Sequence, residues 1–126
     1  MSWYAASLIY VFKLRTGKQK RFSVWEDVCL VEASTGAVAQ RKAERLGKAR
    51  EAKDQTWTVG RRPARLVFAG VRKVLTIANP SHILDTDPPG HGTEVTFSTF
   101  ILKSRRDLDK LVSGQSVPLI YEKDSP

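Results

Sequence analysis

The chain has 126 residues, 41% of them hydrophobic and 27% charged, with a formal net charge of +8. That length is one domain's worth and lets a fold bury roughly two-thirds of its extended surface, and the composition excludes wholesale disorder. One cysteine, Cys29, excludes an intramolecular disulfide, and no apolar run approaches the roughly 20 residues a membrane span needs. The positive charge is grouped. Residues 1–25 and 55–84 contain no Asp or Glu. The first carries Lys13, Arg15, Lys18, Lys20 and Arg21; the second carries Arg61, Arg62, Arg65, Arg72 and Lys73. Runs of unopposed cations attract polyanions and acidic partners.

In chain order, Tyr4, Ala6, Leu8, Tyr10, Phe12 and Leu14 alternate with a second set, Trp3 to Lys13, that is apolar at its centre. Period-two patterning predicts a strand whose even face meets the core. Thr16 to Lys20 is a turn, with Gly17 at positive φ. A second strand follows from about Phe22 to Ala33, making a hairpin with a basic tip. Glu26 and Asp27 are adjacent carboxylates on opposite strand faces and cannot act as a pair. Cys29, within Val28 to Val31, reads as a small buried hydrophobe rather than a reactive thiol.

Ser34 is the expected N-cap of a helix from Thr35 to about Lys53. Helical spacing puts Ala39, Ala43 and Leu46 on a buried stripe and Arg41, Arg45 and Lys48 on an opposite ridge. Gly47 either ends this helix or marks a close backbone approach. An extended piece around Trp57 follows, then a long strand from Ala64 to Ala78 with a bulge at Gly70. Asn79 to Gly92 is a Pro-rich loop, and Thr93 to Lys103 is read as a fourth main strand, paired with 64–78 across it. Ser104 caps a short helix carrying Leu108, Leu111 and Val112, and Gly114 ends it. The tail from Ser116 to Tyr121 docks as a strand. The expected fold is α+β, order β-β-α-β-β-α: an antiparallel sheet of four or slightly more strands with helices on one face. Residues 1–121 form its single domain, and residues 122–126 fray.

Several pieces together resemble a known family. They are Trp3 to Ala6, Leu30 to Ser34, Ala39, Ala43-Glu44, Leu46 to Lys48, Val67 to Val71 and Gly92 to Val95. In this order and spacing, over roughly residues 3–97, the chain resembles the bacterial domain of unknown function 4288 family. The resemblance implies a bacterial α+β domain. That family carries no assigned activity, so the resemblance supplies no site residues.

For function, the basic clusters lead. Lys18, Lys20 and Arg21 at the hairpin tip, Arg41, Arg45 and Lys48 on the helix, and Arg61, Arg62 and Arg65 can form one field for phosphates. Trp57 or Trp25 can offer a base-stacking face. The partner is then nucleic acid. The alternative is an acidic protein docked by the same residues, as in an immunity, antitoxin-like or accessory module. Aromatic exposure separates them: a Trp exposed beside Arg favours nucleic acid, and an apolar patch on the Trp3, Ile9 and Val11 face favours a protein. Open sheet edges also admit strand addition or a homodimer.

His82, His91 and Glu94 are the metal-capable side chains of the 79–94 loop, but their spacing matches no ligand motif, so no metal or other cofactor is expected. They are also the remote candidates for a metal-dependent enzyme. No nucleophile, second acid or phosphate-binding loop accompanies them, and the chain is read as a non-enzyme. The start Met1 to Ala5 lacks a positive segment ahead of an apolar one, so a cytoplasmic setting without membrane insertion is expected.

Overall fold

The computed structural model describes residues 1–51, 56–80, 84 and 86–123. The chain divides into two compact units, Met1–Val95 and Thr96–Pro126. The first holds strands β1 (Ser2–Leu14) and β2 (Val24–Ala33), helix α1 (Gly36–Glu51), and strands β3 (Trp57–Val59) and β4 (Arg62–Thr76). The strands form one antiparallel sheet in the order β2-β1-β4-β3. β1 is central because it is apolar on both faces; even Ala5 and Ser7 on its second face are 1% exposed.

The core lies between the even face of β1 and α1. Ala6, Leu8 and Tyr10 pack there with Val31, Ala33, Leu66, Ala39 and Ala43. The N-cap is Thr35, not Ser34: the Val38 amide donates to Thr35 Oγ1 at 3.2 Å, and the Ala39 amide to Thr35 O at 3.0 Å. Its buried stripe is Ala39, Ala43 and Gly47, whereas Leu46, expected inside, is 42% exposed. Strict i, i+4 stepping selects Gly47, and the reason is contact. A Cβ there would overlap the Phe68 ring, and Tyr10 Oη donates to Gly47 O at 3.5 Å. Of the two roles open to Gly47, the close approach is the one realised.

β4 carries two irregularities against β1. Ser7 faces Lys73, Leu8 faces Val71, Ile9 faces Gly70 and Tyr10 faces Phe68, so Arg72 and Ala69 are extra residues. Gly70, at φ 148°, accommodates the distortion. Between the two bulges Val71 turns onto the core, a face that strict alternation from Phe68 would deny it.

The expected fourth strand over 93–103 does not pair with 64–78. A single bridge, Ala78 to Glu94, joins these segments, and the sheet's fourth strand is β3 instead. Local bonds compete with the ladder here. Asn79 Nδ2 donates to Leu84 O (2.9 Å) and Asp87 O (3.1 Å), and Thr93 Oγ1 donates to Asn79 Oδ1 at 2.6 Å. The order β-β-α-β-β-α is thus replaced by β-β-α-β-β in the first unit.

The second unit contains β5 (Thr99–Ile101), α2 (Arg105–Val112) and β6 (Ile120–Glu122), with β5 and β6 antiparallel. Ser104 accepts from the Asp107 amide at 3.1 Å, as its N-cap role predicts. Gly114 (φ 78°) closes the helix in a Schellman motif: its amide bonds Leu111 O at 3.1 Å and the Gln115 amide bonds Lys110 O at 2.9 Å. Glu122, assigned to the frayed tail, lies in β6; residues 124–126 of that tail lie outside the described residues.

Gly47→Ala tests the close approach. The alanine gains about 1 kcal/mol of helix propensity, yet overpacking against Phe68 costs about 1–3 kcal/mol. Urea unfolding is expected to show net destabilisation, relieved when Phe68→Leu is added. A stabilised Gly47→Ala would show that the helix does not sit this close.

Candidate nucleic-acid interface

The hairpin tip is tied down from two sides. Gln19 Nε2 donates to Phe12 O (2.8 Å) and Arg21 O (3.1 Å), while its Oε1 accepts from the Leu14 amide at 3.2 Å. Arg62 Nη2 donates to Thr16 O at 3.0 Å, and its guanidinium lies against Gly17, which takes φ 83°. These bonds occupy the backbone of the tip and leave Lys18, Lys20 and Arg21 exposed on it.

β3 and β4 meet through Gly60 and Arg61, both at positive φ (56° and 67°), with Val59 opposite Arg62. This is the type I′ geometry that a two-residue hairpin favours. It projects Arg61 at the sheet end. Strand alternation then separates the expected cluster. Arg62 shares the face of Ala64 and Leu66, which α1 also covers, whereas Arg65 pairs with Lys13 on the other face. On α1, Arg41, Arg45 and Lys48 are exposed opposite the buried stripe.

The register also assembles an aromatic cluster on the α1 side. Trp25 stands across from Tyr10, and Trp57 from Ala64, which faces Leu14. Phe12 stacks on Trp25 (ring centroids 6.3 Å apart, planes 9° apart), and Trp57 meets Phe12 at 5.3 Å and Trp25 at 5.9 Å, edge-on. Trp25 remains 43% exposed. Beneath it is a cavity of about 50 Å3 lined by Tyr10, Trp25, Asp27, Arg50 and Leu66. Arg50 forms an ion pair with Asp27 across its mouth. Burial pushes the Tyr10 hydroxyl up, an effect Arg50 partly opposes.

The α1 side therefore gathers Arg41, Arg45, Lys48, Arg62 and the two tryptophans, with the tip bearing Lys18, Lys20 and Arg21 tied to it through Arg62. Arg65 is not part of it. Sequence reasoning missed Phe12, Arg50 and Asp27. Their signal is the strand register, which places Trp25 beside Tyr10 and aims Asp27 along the same face, and a single strand's alternation does not give that register.

The 79–94 loop is organised by Asn79 and Thr93 rather than by its acids and histidines. His91 and Glu94 are exposed, and His82 lies outside the described residues. Among the described residues no three His, Cys, Asp or Glu side chains gather as metal ligands. Cys29 is half-buried, and burial pushes its thiol up from the ordinary 9.0. A raised thiol is a poor nucleophile at neutral pH.

The family model described as "Domain of unknown function (DUF4288)" matches residues 3–95, well over half of the chain. The chain belongs to this DUF4288 family. The matched segment coincides with the first compact unit, and so spans the four-stranded sheet, α1, Trp25 and Trp57. No curated protein and no solved structure matches the chain. Among the described residues no helix is long and apolar enough to cross a membrane.

The Cys29 environment has a pH signature. The folded state favours the neutral thiol, so this contribution is complete below the ordinary thiol pKa and is lost as pH rises through the folded value. The stability advantage of the wild type over Cys29→Ala, measured by urea unfolding, should shrink above about pH 9. A difference that grows with pH would contradict the burial of the thiol.

Proposed function

We propose that the chain is a nucleic-acid binding module that acts through the α1 side of its sheet and takes single strands through base stacking. The observation that carries this reading is Trp25: it is exposed, already ordered by Phe12 and Trp57, and set on the face that also bears the cations of α1 and Arg62. Every base has a π-face, so a fixed indole accepts any of them, and the surrounding cations meet the backbone. Pre-ordering lowers the entropy lost on binding. An exposed Trp25 on a face that also carries cations supports nucleic acid over a protein partner there. The proposal involves no catalytic step and no cofactor.

Fluorescence anisotropy of labelled single- and double-stranded DNA and RNA over a salt series tests it. Each phosphate contact contributes about −0.7 to the log–log salt slope for single strands, so neutralising Arg41, Arg45 and Lys48 together should flatten the slope by roughly two. Trp25→Ala should cost about 1–3 kcal/mol on single strands and little on duplex. Absence of binding at low salt would end the proposal, and an unchanged slope in the triple variant would remove the ridge from it.

A further inference from the structure

The second surface of interest is the free edge of β2. The opposite edge strand, β3, has three residues, whereas β2 has ten and, among the described residues, pairs with β1 alone. Proteins ordinarily blunt long edges with charge, bulges or cover, because unpaired N–H and C=O groups template another strand. Within the first unit the described residues cover it at the end: Lys42 Nζ donates to Glu32 O at 2.7 Å. That bond also fixes the parity. Glu32 O points away from β1, so the backbone groups of Val24, Glu26, Val28 and Leu30 point outward as well.

The surroundings of this edge differ on its two sides. On the open face of the sheet stand Val24, Val28 and Leu30, 57%, 41% and 45% exposed. Glu26 is held there by Arg72 at 2.7 Å. On the α1 side a groove of about 500 Å3 runs between Leu30–Glu32 and the helix flank, walled by Leu46 and Ala49 and rimmed by Lys42 and Arg45. An added strand would therefore meet apolar side chains on one face and cations on the other.

We infer that β2 accepts an extended segment of a partner protein as a fifth strand, with apolar side chains at alternate positions on Val28 and Leu30 and acidic ones between them turned to Arg45 and Lys42. Period-two alternation in the segment is what lets one strand satisfy both surroundings. Charge decides against a second copy of this chain. Antiparallel pairing of two β2 edges over Val24–Leu30 would set the Lys42 and Arg45 rim of each copy toward the basic hairpin tip, Lys20 and Arg21, of the other. The inference shares Arg45 with the proposed nucleic-acid face but rests on the β2 backbone edge and on its own peptide probe, so it stands or falls separately.

A short synthetic peptide of alternating Glu and Val is the probe, titrated against the full chain and followed by amide NMR shifts and anisotropy. Saturable binding with shifts along Val24–Leu30 and the Lys42–Ala49 flank is expected. The same peptide N-methylated at alternate amides should lose binding, because it cannot complete the ladder. Arg45→Glu should weaken binding by about tenfold. Val28→Pro should weaken it by about tenfold, since it removes an outward donor and leaves the β1 ladder intact; circular dichroism checks its fold, and Leu30→Lys is the second variant. Equal binding by the N-methylated peptide, shifts confined elsewhere, or no saturable binding would overturn the inference. So would sedimentation showing a dimer that Val28→Pro dissolves, since the edge would then belong to a second copy.

Discussion

The closeness of α1 to the sheet is the constraint on which the first unit rests. Ala39, Ala43 and Gly47 present almost no side chain, so the backbone of the helix comes down onto Leu8, Tyr10 and Phe68. Few large residues are then needed in the core: the largest fully buried side chains are Tyr10, Leu8 and Ile77. The same closeness determines what the helix leaves uncovered. α1 ends at Glu51, and beyond it the aromatic face of the sheet continues through Phe12, Trp25 and Trp57. A bulkier stripe would lift the helix, separate Tyr10 from Gly47 O and open the cavity beneath Trp25.

Much of this was legible in the residues. The alternation of β1, the hairpin turn at Gly17, the α1 ridge and both caps of α2 follow from local chemistry, and the structure has them. What failed was long-range. The misplaced fourth strand had suitable residues, but Asn79 and Thr93 bind the loop internally, and a hydrogen bond between two loop side chains leaves no periodic trace. Leu46 misled for a related reason. Hydrophobicity favoured it for the stripe, yet contact with Phe68 needs a residue with no side chain at position 47. The candidate site was legible as residue types and not as a surface. Arg62 and Arg65 look alike in sequence and stand on opposite faces.

The charge of the chain is likewise less uniform than its total suggests. Arg50 and Arg72 are committed to Asp27 and Glu26, and Arg62 to the carbonyl of Thr16. These three cations hold structure together. The exposed remainder includes Lys18, Lys20 and Arg21 on the tip and Arg41, Arg45 and Lys48 on α1, while the open face of β2 displays valine and leucine. A small sheet thus offers two chemically different surfaces, one facing anions and aromatic stacking, the other facing backbone and apolar side chains.

The paired bulges of β4 have a consequence for how this family can vary in length. Each extra residue, at Ala69 and at Arg72, is absorbed where it sits, so Phe68 still faces Tyr10 and Lys73 still faces Ser7. Losing one residue at either bulge would leave every other pairing of β1 with β4 in place. A single insertion in the regular stretches would instead turn the core face of the strand outward. Changes of length in β4 should therefore gather at these two positions.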